Sequence, residues 1–255
     1  MLLSFLLGVT VNTYAQTPST QNCDLLYSHR GADLMAAVDC YGSVVAASSV
    51  DAQKNLFERS FIALSAIVND SPKTQDEIDA ISKALKLVDD FSKNFSNTAD
   101  FYYWRAVFVS FDAIQRDRGS VLPRHLFGVI KSLQQDLRQA ISMDPTVHVW
   151  GPNRVLGIMH TQMPGIVGGD KVLAEKLLAE AYQKAPQICS NHTAYAKILM
   201  VNGKDADAKS VLTKFLSLSD ADLNPYQGEP LRNLKPENDR DRKVAKDMLD
   251  QLNNN

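Results

Sequence analysis

The sequence predicts an all-α chain, a right-handed α-solenoid of stacked helical hairpins, and three observations carry that reading. Turn-formers are sparse: 255 residues hold only 12 glycines and 10 prolines, which favours long helices over many short strands. Apolar residues recur at helical spacing in segment after segment, while no stretch alternates with period two for long enough to build a sheet. A pattern of alanine followed by larger apolar residues recurs along the chain, as repeated structural units require.

The first fifteen residues read as a signal peptide. Leu2–Leu3, Phe5–Leu7 and Val9–Val11 form a short uncharged apolar run that ends at Thr13-Tyr14-Ala15, a small-residue cleavage signal. The run is too short to cross a bilayer, which takes about 20 residues. It lacks the usual basic residue at its start, so a buried first helix is the alternative. Residues 16–21 read as a flexible linker, with the exported chain expected to begin at Gln16. Thr20-Gln21-Asn22 before Cys23 is too polar for a lipid-modified cysteine. No later segment is long and apolar enough to span a membrane, so the expected location is the periplasm or the extracellular space.

A helical-repeat domain is expected over 22–218, as hairpins at about 22–48, 51–95, 99–143, 150–185 and 190–217. In three of their second helices an alanine is followed by a large residue four on and an apolar residue three further. These are Ala37, Tyr41 and Val44; Ala174, Leu178 and Ala181; and Ala208, Leu212 and Phe215. Such spacing puts all three side chains on one helical face. The alanine admits a neighbouring helix and the larger residues fill the space beside it. Ala140 and Ala181 are each followed five residues later by a proline, Pro145 and Pro186, which stops the helix and starts the next hairpin. Gly157 falls where two helices must touch. Together these residues resemble the tetratricopeptide repeat.

Local signals mark individual helices. Thr74-Gln75-Asp76-Glu77 is a capping box ahead of an apolar face of Ile78, Ile81, Leu85, Val88 and Phe95. After Ser120, Pro123 is placed in the first turn of a helix presenting Leu126, Ile130, Leu133, Leu137 and Ile141. Trp104, Val107, Phe108 and Phe111 occupy the inward positions of a first helix. Residues 219–238, with three prolines and a glycine, read as an irregular connector, and 239–255 as a last helix and tail.

A closer resemblance runs over about 100–218. Tyr102-Tyr103-Trp104-Arg105-Ala106, Met143-Asp144-Pro145, Trp150-Gly151-Pro152-Asn153-Arg154-Val155-Leu156-Gly157 and Met163-Pro164 with Gly168-Gly169-Asp170 follow one another. This order resembles the tetratricopeptide-type T components associated with TRAP transporters. The resemblance implies a binding scaffold outside the cytoplasm, an accessory partner of a solute-binding subunit. Lipid anchoring is common in that family, and its motif is absent here. A generic peptide- or protein-binding repeat protein is the alternative, and an enzyme, as a hydrolase, is the third reading.

Chemistry-bearing motifs are sparse. A net charge of −2 offers no basic excess for nucleic acid. His29, His125, His148, His160 and His192 form no zinc-ligand spacing. Gly165–Asp170 lacks the Lys-Ser/Thr end of a phosphate loop and reads as a turn whose Asp170 caps the next helix. No Gly-x-Ser-x-Gly is present. No catalytic residue, metal ligand or cofactor is therefore expected. The candidate binding residues are Tyr103, Trp104, Arg105, Asn153 and Arg154, because aromatic rings and arginines dominate binding surfaces and paired arginines suit a carboxylate. That carboxylate would belong to a small organic acid or to a protein partner.

Cys23 and Cys40 lie equally far either side of a turn at Gly31-Ala32. Antiparallel helices would bring them face to face as a disulfide, with two packed, reduced thiols as the alternative. Cys189 is left as the odd thiol.

Overall fold

The computed structural model describes residues 20–31, 33–45, 48–70, 74–120, 123–226 and 234–254. The signal-peptide reading of 1–15 lies outside them. Among the described residues the chain forms eleven α-helices and no strand: α1 Thr20–His29, α2 Asp33–Val45, α3 Val50–Asp70, α4 Gln75–Phe95, α5 Ala99–Arg116, α6 Arg124–Met143, α7 Val147–Gln162, α8 Lys171–Lys184, α9 Cys189–Val201, α10 Asp205–Leu216 and α11 Lys235–Asn253. Each helix from α1 to α10 packs on the next in the chain, and α11 packs on α9 and α10. None is long and apolar enough to cross a membrane.

The recurrent alanine motifs form the inner seams. Ala37, Ala174, Leu178, Ala181, Ala208, Leu212 and Phe215 are completely buried, and Tyr41 nearly so. Gly157 lies where α7 meets α8 most closely. A Cβ there would come within 2.6 Å of Leu178 Cγ, so no larger residue fits without displacement. Between α3, α4 and α5, Phe61 contacts the rings of Phe57, Phe91, Trp104 and Phe108 with centroids 5.3–6.4 Å apart.

Caps explain where the helices begin. Thr74 accepts from the Glu77 amide at the start of α4, while the Glu77 carboxylate pairs with Arg118 beyond the end of α5. Asp170 accepts from the Val172 and Leu173 amides of α8. Asp117 reaches across a loop to the amides of His125 and Leu126, so Pro123 sits just ahead of α6 rather than in its first turn. On α4 the buried stripe is Ile81, Ala84, Val88 and Phe91, with Ile78 turned outward.

Two boundaries differ from the sequence reading. α1 starts at Thr20, inside the expected linker. α11 starts at Lys235, four residues before the expected start of the last helix, because Pro236 occupies its first turn, where a missing amide hydrogen costs nothing. Cys23 and Cys40 are joined by a disulfide across the α1–α2 hairpin, with Cα atoms 5.3 Å apart. Cys189 is free and buried.

Candidate functional site

A cavity of about 390 Å³ lies among the helices. Its helical wall comes from α3, α5, α7, the start of α9 and α11, with Tyr27 of α1 at one end. These are the odd-numbered helices, the first member of each hairpin, while the second members carry the alanine seams behind them. α11 closes the space. Glu237 of α11 lies 2.5 Å from Arg30 in the α1–α2 turn. Asp70, at the end of α3, lies 3.4 Å from Arg30 and 3.6 Å from Arg240 of α11. The α1–α2 turn, the end of α3 and α11 are thereby tied together.

Most of the wall is apolar and aromatic. Tyr103 is buried, stacks on His148 at 4.7 Å and meets Trp104 edge-on at 5.0 Å. Burial pushes its phenol pKa up, against a smaller opposing pull from Arg154. Gly151 allows this packing, because a Cβ there would lie 2.9 Å from the tyrosine ring. Trp104 is 4% exposed, and its indole Nε1–H has no acceptor among the described residues. Buried polar groups are rarely left without a partner, and each costs about 1–3 kcal/mol when it is.

His148 reaches the cavity through unusual backbone. His148, Val149 and Trp150 have φ of 49°, 55° and 60°, three successive left-handed residues ahead of the regular part of α7. For L-residues this costs roughly 1–2 kcal/mol each, and a β-branched valine is the least suited of all. The surroundings hold it in place. The His148 ring is packed between Tyr103 and Trp104, and its Nε2 lies 3.4 Å from Asp100 Oδ1. Arg154 donates to the Val149 carbonyl at 3.3 Å and to Asn191 Oδ1 at 3.1 Å. Pro152 then falls in the first turn of the regular helix.

Asp100 is the anchor of that arrangement. Lys54 Nζ is 2.8 Å from its Oδ2. Burial alone would raise its pKa, but hydrogen bonding with His148, Glu58 and Lys54 outweighs that and holds it below the usual carboxylate range. Glu58, Asp100 and His148 each bring a potential metal-ligand atom within 4.8 Å of the others. The Lys54 ammonium already supplies the positive charge that an ion would bring, and the group reads as an ion-pair cluster.

On the far wall Asp241 is 8% exposed and lies beside the Cys189 thiol. Burial raises its pKa, more than Cys189, Arg240 and Arg154 lower it. Burial likewise pushes the Cys189 thiol up. Asp241 Oδ2 has no hydrogen-bond partner among the described residues. Asp241, Ile158 and Ser190 also line a second, more apolar cavity of about 450 Å³ between α7, α9 and α11.

Of the five residues selected from the sequence, Tyr103, Trp104 and Arg154 meet at the main cavity, and Arg105 and Asn153 are placed elsewhere. Arg105 makes a bidentate pair with Asp136 of α6, with Nε 2.7 Å from Oδ2, and lies over the Phe101 and Tyr102 rings. Asn153 is buried and donates to Glu180 of α8 at 3.1 Å. Consecutive helical residues point about 100° apart, and Arg105 and Asn153 fall on the side of their helices that meets α6 and α8. His148, Asp241, Glu237 and Arg240 were not selected. Nothing local in the polar segment 235–253 marks Asp241 as a residue that becomes buried. His160 is buried within α7, and burial lowers its pKa. No family model matches the chain, and no curated protein matches it.

Proposed function

We propose that the chain is an exported binding scaffold of tetratricopeptide-like hairpins in a right-handed solenoid, whose cavity holds a small organic acid. Its role would be that of an accessory partner to a solute-binding, TRAP-type uptake system. The observation that carries the reading is the meeting of Tyr103, Trp104 and Arg154 at one mostly apolar cavity. Its volume falls in the range of small-molecule sites, roughly 300–1,000 Å³.

Export is supported by the Cys23–Cys40 disulfide, since such bonds persist in oxidising compartments. The T-component role is supported by the motif order over 100–218. A surface for a protein partner is offered by Ile166 and Val172, which are 94% and 82% exposed beside the Gly168-Gly169 turn.

Calorimetric titration with 4-methylpentanoate and 3-phenylpropanoate tests the ligand reading. Saturable binding is expected, weakened at least tenfold in Arg154→Ala, since a hydrogen bond to a charged group contributes about 1.5–3 kcal/mol. Equal affinity in a folded Arg154→Ala, or no binding of either acid, contradicts it. The partner reading is tested by pull-down from envelope extract. Ile166→Asp with Val172→Asp should release the captured solute-binding protein without changing the melting temperature. Failure of the wild-type chain to retain such a protein removes this role.

A further inference from the structure

The main cavity carries one cationic and one acidic side chain with no ion-pair partner among the described residues. Arg154 bonds only to neutral groups, the Val149 carbonyl and Asn191, with the Tyr103 phenol beside it, and no carboxylate lies within ion-pair distance among the described residues. Asp241 has no cationic partner within that distance among the described residues either, and its Oδ2 accepts no hydrogen bond. The other charged groups here are committed: Glu237 to Arg30, Arg240 to Asp70, and His148 to Asp100. Two residues more than nine-tenths buried thus leave atoms of opposite character unsatisfied at one cavity, a donor at Trp104 Nε1 and an acceptor at Asp241 Oδ2. Burying an unpaired charge is expensive, and a protein that keeps one beside a cavity leaves it for something else to pair.

We infer that the occupant of this cavity is a zwitterion with an apolar body, of the class of the apolar α-amino acids. Its carboxylate takes the Trp104 indole N–H and the Arg154 guanidinium, and its ammonium takes the Asp241 carboxylate. Aromatic and aliphatic walls receive the side chain, among them Tyr103, Val107, Phe111 and Ile158. The inference rests on the proposal that this cavity holds an organic acid and narrows it by requiring an amine on the same molecule. A simple monocarboxylate would satisfy Trp104 and Arg154 and leave Asp241 as it is.

The test is calorimetric titration of the full chain with three matched probes: L-leucine, 4-methylpentanoate, which lacks the amine, and 3-methylbutylamine, which lacks the carboxylate. L-Leucine is expected to bind at least tenfold more tightly than either single-charge analogue. Asp241→Asn should abolish its advantage over 4-methylpentanoate, and Trp104→Phe should weaken both carboxylates and leave 3-methylbutylamine unchanged. The wild-type comparison needs no variant and decides the matter even where a substitution fails to fold. If 4-methylpentanoate binds as tightly as L-leucine, the zwitterion inference is overturned while the organic-acid reading stands. If no probe binds, both fall. If Asp241→Asn folds and keeps the full preference for L-leucine, Asp241 is not the ammonium site and the assignment is wrong.

Discussion

Asp100 and Asp241 are both acidic and both more than nine-tenths buried, Asp241 on the cavity wall and Asp100 against the His148 that lines it, yet their surroundings drive them in opposite directions. Asp100 is gripped by His148, Glu58 and Lys54, and its carboxyl is held well below the ordinary range. Asp241 has a thiol for its nearest neighbour and is pushed above that range by burial. A buried carboxylate that is fully paired organises structure, and here Asp100 fixes the His148 ring that a left-handed backbone presents. A buried carboxylate that is left short of partners stores a cost that a ligand can remove. The same contrast separates Arg105, fully engaged with Asp136, from Arg154, whose partners are all neutral.

The largest expected effect is at the paired end. Asp100→Asn removes the charge that Lys54 and His148 face, and breaking such a buried pair costs about 3–5 kcal/mol. The folded pKa of Asp100 is depressed, so its contribution is present above the unfolded carboxyl value. It is lost as pH falls through the folded value. Urea unfolding should therefore show the full deficit of the variant at pH 7 and a shrinking one below pH ~4; an equal deficit at both would remove the electrostatic account. Next, opening the Cys23–Cys40 disulfide closes off a stabilisation of about 3 kcal/mol. Melting in the presence and absence of reductant measures it, and Cys189 should play no part.

Arg105→Ala is expected to cost about 2 kcal/mol of stability, because it strands the buried Asp136, and to leave binding of 4-methylpentanoate intact. Arg154→Ala should show the reverse balance. Two variants that lose the same property would erase the distinction between the two arginines. The smallest effect carries the opposite sign. The folded pKa of Asp241 is raised, so in the unliganded protein its ionised form opposes folding. What it contributes is present below the unfolded value and is lost as pH rises through the folded one. Asp241→Asn should raise the melting temperature at pH 7 by about 2 °C, the shift of under 1 kcal/mol in a chain of this size, and the gain should vanish at pH ~3.

Much of the hairpin arrangement was legible because it is written in local spacing. The alanine-to-large-residue triads of α2, α8 and α10 and the glycine at 157 need only a helical period to be interpreted, and each lies at a seam. What was not legible depends on how the chain closes. Asp241 is one acid among many on a strongly polar helix, and only the docking of α11 on α9 and α10, with its ion pairs to Arg30 and Asp70, buries it. Pro236 was grouped with Pro225 and Pro230 as part of an irregular connector, yet it lies in the first turn of α11, a position that proline suits. The left-handed run at His148–Trp150 runs against the preference of every residue in it, so propensity argues against the very conformation that presents His148. Of the residues selected by type, Tyr103, Trp104 and Arg154 line the cavity, while Arg105 and Asn153 turn to Asp136 and Glu180 on neighbouring helices, partners that residue type alone does not reveal.

The central claim is that the cavity behind α11 is a ligand site organised around the Trp104 indole. The chain has two tryptophans, Trp104 and Trp150, so its indole ¹⁵N–¹H spectrum reduces to two signals. Titration with L-leucine should move the Trp104 signal downfield as its unpaired N–H gains a carboxylate acceptor, leave Trp150 nearly unmoved, and lose the shift in Arg154→Ala. Saturable binding of L-leucine with a stationary Trp104 signal, or with Trp150 moving in its place, would contradict the account.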